Sequence, residues 1–243
     1  MGGLKGFLSF LAGGVSPFAD FFFPPLCFSC NQRLSDSESR VCDACWKTTE
    51  RVKQDDYTVG VLRERFTAEG SIDGFYSCFY FEERGVFQKL VHSLKYDAVT
   101  VFGVELGRYV GELLWDNINV EAVDAIVPIP LHRLKQRERG YNQSEFICRG
   151  ISSILYKPVL PALVRRSKET VSQTHLTAEE RKMNVGDAFD ISLKEKQFVR
   201  GKTFVIVDDV ITTGSTIQAV ARVLKHTGAK RVIAASAALA KLG

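Results

Sequence analysis

From residue 75 onward the apolar positions alternate between two rhythms. Runs at 75–81, 125–129, 162–165, 203–207 and 231–238 are apolar or β-branched over the length of a strand. Between them, 86–94, 101–114, 142–155, 177–184 and the stretch opening at 212 carry apolar residues three and four apart. The first rhythm predicts buried strands and the second predicts helices. Phe87, Leu90, Val91 and Leu94 share one helical face, as do Ile217, Val220, Val223 and Leu224, and Gly228 follows the latter helix as its stop. Strand and helix in alternation predict an α/β fold, a parallel sheet flanked by helices on both faces, with ligands bound beyond the carboxyl ends of the strands. Upstream the rhythm is lost. Residues 1–60 hold a Phe-rich start and a cysteine cluster, 61–74 read as a polar connector with little core, and 75–243 form the main domain.

The chemistry is most concentrated at 203–216. The β-branched run predicted as a strand leads into Asp208 and Asp209, and Thr212, Thr213, Gly214, Ser215 and Thr216 then open the next helix. Backbone N–H groups and hydroxyls at a helix start hold a phosphate, and glycine lets the backbone close around it. Adjacent carboxylates accept from a vicinal diol or help hold a cation. The pattern therefore suits a phosphorylated sugar. It contains no GxGxxG and no Gly-Lys-[Ser/Thr], which excludes a Rossmann or P-loop reading. The plainer alternative is an acidic strand end followed by a Thr/Ser cap. As it stands, the stretch closely resembles the signature of the phosphoribosyltransferases, whose ligand is phosphoribosyl pyrophosphate (PRPP).

Charge changes the picture in one region. The chain carries a net +4, yet residues 130–182 hold eleven Lys/Arg against five acids, a local +6 able to meet a pyrophosphate or a polyanion. At the N-terminus, 7–23 is apolar except for Asp20, but Gly13, Gly14, Pro17, Pro24 and Pro25 interrupt it too often for a transmembrane helix. A short signal peptide starting at Lys5 is an alternative. The favoured reading is an amphipathic segment docked on the body or on a partner, with peripheral membrane contact through Phe7, Phe10, Phe21, Phe22 and Phe23 as a further option.

Cys27, Cys30, Cys42 and Cys45 form two CxxC pairs eleven residues apart. Each pair offers thiolates to two corners of a tetrahedron, the spacing of a structural Zn²⁺ site with no open position, and disulfides are the alternative. In so small a unit the metal contributes on the order of 10 kcal/mol of folding free energy. A metal-holding thiol cluster and a nucleotide-type ligand both point to the cytoplasm. Cys78 and Cys148 have no partner spacing and read as buried thiols.

Past the strand at 125–129 come Leu131, His132, Arg133, Lys135, Arg137 and Arg139, cations placed to face the same crevice as Asp208 and Asp209, unless they are merely a solvated basic turn. Taken in order, the zinc pairs, His92 to Tyr96, Val127 to Pro130, Arg139 to Gln143, Thr170 to Gln173, Arg181 with Asn184, and Asp208 to Thr216 resemble the ComF family (ComFC/GntX type) over nearly the whole chain. Asp97 and Ala98 depart from it, standing where a glycine is common in the family.

The resemblance implies a zinc finger ahead of a phosphoribosyltransferase-like domain. It makes Asp208 and Asp209 the catalytic and ribose-holding carboxylates and 212–216 the 5-phosphate cradle. The loop from Leu131 to Arg139 then serves pyrophosphate, Mg²⁺ accompanies PRPP, and a basic flexible loop at 165–182, with Gln173 and His175, closes over the ligand. It further implies DNA uptake in natural transformation, acting on cytoplasmic single-stranded DNA (ssDNA) with helicase or recombination partners. Arg139, Tyr141, Arg165 and Arg166 are then the nucleic-acid candidates. The alternatives are an active phosphoribosyltransferase acting on a base or amine, and a regulatory PRPP sensor.

Overall fold

The computed structural model describes residues 25–36, 38, 40–82, 85, 87–91, 100–166 and 188–241. The Phe-rich start, the block from His92 to Tyr96, the expected helix at 177–184, and Gln173, His175, Arg181 and Asn184 lie outside the described residues. The chain divides into two compact units, Met1–Thr48 and Thr49–Gly243. Among the described residues no helix is long and apolar enough to cross a membrane.

The first unit is built around its cysteines. An antiparallel bridge between Leu26 and Arg33 folds the first CxxC into a knuckle, closed by hydrogen bonds from Cys27 N to Gln32 O (2.8 Å) and from Asn31 N to Cys27 O (2.9 Å). The second CxxC opens helix α1 (Asp43–Thr48), where the Asp43 amide donates to Glu38 Oε1 at 2.8 Å. Leu34 and Val41 are its only buried aliphatic side chains among the described residues.

The second unit begins with α2 (Tyr57–Ala68), capped by Asp56, whose carboxylate accepts from Thr58 N. Val59, Leu62 and Phe66 on α2 are buried, and Phe66 meets Phe75 edge to face at 5.4 Å. The connector expected over 61–74 is therefore largely helix, and the boundary lies at 48 and 49 rather than near 60. Charged and small residues fill most of this stretch, so its apolar anchors Leu62 and Phe66 show only once the sheet is there to receive them.

β1 (Gly74–Phe81) follows, then a helical piece at 87–91, α3 (Thr100–Asn117) and β2 (Ala125–Pro128). After β2 come α4 (Arg133–Arg139) and α5 (Gln143–Leu155). β3 (Val164–Arg166), overlapping the strand expected at 162–165, pairs antiparallel with β4 (Phe189–Ile191), whose three residues are too few for a rhythm to show. α6 (Leu193–Val199), β5 (Thr203–Ile211), α7 (Ser215–His226) and β6 (Arg231–Ala240) complete the chain. The main sheet has the order β1-β6-β5-β2 with every pairing parallel, as the alternating rhythm predicts. α2 and α7 pack on one face over Phe204, Ile206, Val232 and Ala234, and α3 and α5 cover the other.

α3 and α5 touch backbone to backbone. A Cβ at Gly150 would collide with the Val104 carbonyl, and one at Gly107 with the Ile147 carbonyl. Backbone cannot yield as a flexible side chain can, so Gly150→Val is expected to cost at least about 3 kcal/mol through overpacking. A urea denaturation midpoint unchanged from wild type would contradict this contact.

Candidate functional site

β5 runs on past the expected end at residue 207. Asp208, Val210 and Ile211 still pair with Ser236, Ala238 and Leu239 of the ten-residue β6, so both aspartates sit within the strand. β2 stops beside this point, where Ile129 N donates to Val207 O at 2.8 Å. The carboxyl ends of the two strands thus bring the segment from Leu131 to Arg139 to the same edge of the sheet as the aspartates.

Both aspartates are anchored by hydrogen bonds. Asp208 Oδ1 accepts from Asp209 N at 2.9 Å and from Ser144 Oγ at 3.3 Å, and Asp209 Oδ1 accepts from Val210 N at 2.8 Å. Past β5 the chain turns sharply at Gly214, whose φ of 74° is left-handed. Any Cβ there would lie 2.6 Å from Cζ of Phe66, so the position excludes larger residues by both conformation and space. Thr213 Oγ1 and Ser215 Oγ are 3.1 Å apart, and Arg65 Nη1 donates to the Thr213 carbonyl at 3.1 Å. A cleft of about 40 Å³ lies here, lined by Asp208 and residues 210–217 and facing the N-terminus of twelve-residue α7. The structure thus gathers Asp208 and Thr212 to Thr216 in one concavity, while Asp209 is not among its lining residues.

The segment read as a basic loop is helical. α4 is capped by His132, whose Nδ1 accepts from Leu134 N at 3.3 Å, and it ends at Gly140. Five consecutive polar and charged residues within a seven-residue span hide a helix from any apolar rhythm. Leu131 and His132 are half-buried, and Lys135 and Arg137 are exposed. Of the nucleic-acid candidates, Arg165 is exposed and Arg139 half-buried, while Tyr141 sits edge-on to Phe146 at 5.5 Å. Arg166 stacks on the Phe189 ring at 5.4 Å, and burial lowers the pKa of its guanidinium. Arg166 therefore belongs to the β3–β4 ribbon more than to the surface.

Sequence reasoning passed over Ser144, Arg65 and Phe66. No local pattern marks them, because their partners Asp208, Thr213 and Gly214 lie 64 to 148 residues away.

In the first unit, Sγ atoms of Cys27, Cys30, Cys42 and Cys45 all lie within 4.8 Å of one another, and all four cysteines are free thiols. Burial works against a thiolate at Cys27, but the N–H groups of Cys42, Cys30 and Ser29 outweigh it and bring the thiol down to about 6. Burial pushes Cys45 up to about 12. Four clustered sulfurs, one of them already poised as a thiolate, are a donor set that fits zinc.

Residues 146–241 match the phosphoribosyl transferase domain family. Competence protein F of Haemophilus influenzae is 36% identical over 109 residues, 45% of this chain and 47% of that protein. DNA utilization protein YhgH of Escherichia coli K12 is 34% identical over 149 residues, 59% of this chain and 63% of that protein. Competence protein ComFC of Bacillus subtilis is 23% identical over 218 residues, 84% and 79% of the two chains. The matched stretch thus spans about half to two thirds of the length of the first two relatives. A match to the phosphoribosyl transferase domain on a parallel sheet, a four-cysteine cluster ahead of it, and relatives of this kind support one family: the chain is similar to proteins of the ComF type.

Proposed function

We propose that the second unit binds PRPP at the β5–α7 junction and that the protein serves DNA uptake by handling ssDNA on the cytoplasmic side. The observation that carries the ligand is the concavity in which Asp208 and the backbone of 212–216 meet the N-terminus of α7. In this reading, turn N–H groups and the hydroxyls of Thr213 and Ser215 hold the 5-phosphate. Asp208 and Asp209 accept from the ribose hydroxyls. The exposed cations of α4, at the end of the neighbouring strand, meet the pyrophosphate. A hard divalent cation fits beside adjacent carboxylates. Bound there with PRPP, Mg²⁺ would neutralise pyrophosphate charge. The DNA role rests on the relatives named competence protein F and DNA utilization protein.

The matched domain favours a second reading, transfer of phosphoribose from PRPP to a base or amine. The transition state is then oxocarbenium-like, so the residues named above would work by positioning and charge stabilisation more than as a strong base. Labelled PRPP offered with a panel of bases, with and without ssDNA, separates the readings. Turnover with a base and indifference to ssDNA favours the enzyme.

A surface test bears on ssDNA directly. Arg165 is exposed, and its Nε donates to the nearby Ala162 carbonyl at 3.4 Å. Arg165→Glu is expected to weaken ssDNA binding several-fold and leave PRPP affinity unchanged, and wild-type affinity should fall with salt at a slope of about −0.7 per phosphate contact. Fluorescence anisotropy showing no ssDNA binding at physiological salt would remove the DNA-contacting part of the proposal.

A further inference from the structure

Ser144 is the second residue of α5 and only 3% exposed. A serine at a helix start ordinarily serves the helix itself, satisfying an amide of the first turn. Here that task is done by Asn142, whose side-chain oxygen accepts from Ser144 N at 3.2 Å, while its Nδ2 ties to the Ile129 carbonyl at 3.0 Å. The Ser144 hydroxyl is left for something else. A buried hydroxyl needs an acceptor, and the one it reaches is Asp208 Oδ1, 64 residues along the chain. The same oxygen accepts from Asp209 N, so two donors from different elements converge on one atom of the carboxylate. One turn along α5, fully buried Cys148 has its thiol pKa pushed up by burial first and then by the charges of Glu145 and Asp208, which places the carboxylate close to this helix. The N-terminal end of α5 adds a partial positive charge on that side.

We propose that Ser144 is a positioning residue, holding the Asp208 carboxylate in the orientation in which it accepts from the ribose hydroxyls of a phosphoribosyl ligand. This rests on the ligand reading given above and deepens it. Through Asn142, the same short turn also ties α5 to the end of β2, just ahead of the basic segment. The pyrophosphate side and the ribose side of the site thereby share one rigid support.

The test is calorimetric titration of the full chain, wild type and Ser144→Ala, with Mg²⁺-PRPP, ribose 5-phosphate and inorganic phosphate. Losing a hydrogen bond to a charged group is expected to weaken PRPP and ribose 5-phosphate about tenfold, while inorganic phosphate, which has no diol, stays within about twofold. Equal losses for all three ligands would mean that Ser144 supports the loop as a whole, and would overturn the proposal. Unchanged PRPP affinity in Ser144→Ala, with normal uptake by wild type, would overturn it alone. Failure of wild type to take up PRPP or ribose 5-phosphate would overturn the ligand reading and this inference with it.

Discussion

Replacing Cys42 by serine is expected to release zinc from the first unit and unfold it, while the second unit keeps its fold. The reason is how little else holds the first unit together. Its described part has one helix, α1, of six residues, far below the length at which an isolated helix persists in water. Among the described residues its buried apolar side chains are Leu34, Val41 and three of the four cysteines, Cys30 being exposed. Metal binding is therefore expected to supply most of the folding free energy, on the order of 10 kcal/mol. Removing one thiolate from a closed four-sulfur site leaves a donor set that neither geometry nor charge favours. Metal analysis of purified protein should find one zinc per chain in wild type and a clear deficit in the variant, with rapid proteolysis confined to residues before about 49. Wild-type protein purified with well under one equivalent would contradict this.

The parts of the fold readable in the sequence were those with long, uniform rhythm. β1, β6, α3, α5 and α7 lie where the periodicity puts them, within a few residues. Three kinds of element escaped it. α2 depends on Val59, Leu62 and Phe66 finding Phe75 and the sheet, a tertiary contact that no local window contains. α4 is charged along most of its length, so its helix rests on the His132 cap and the Gly140 stop rather than on apolar spacing. β5 continues through Asp208 and Asp209 because β6 runs alongside, although two acids in a row read as a strand end. At the candidate site, the consecutive residues from Asp208 to Thr216 were legible because residue types and spacing carry the chemistry. Ser144 and Arg65 were not, since their meaning comes from residues they meet only in the folded chain.

The double variant Asp208→Asn with Asp209→Asn is expected to lose PRPP binding by at least about a hundredfold, since each exchange removes charge-assisted hydrogen bonds at nearly constant size. The fold should persist. Both side chains are only half-buried, and an amide oxygen can still accept from Asp209 N and Val210 N where the carboxylates do now. Asn in place of Asp also lifts the repulsion between two adjacent charges, so any loss of affinity cannot be assigned to added strain. Calorimetric titration of Mg²⁺-PRPP into wild type and this variant side by side tests the central claim most directly. The account predicts one saturable site in wild type and none within the accessible concentration range in the variant, with superimposable circular dichroism spectra. Equal PRPP affinity in the two proteins would contradict it.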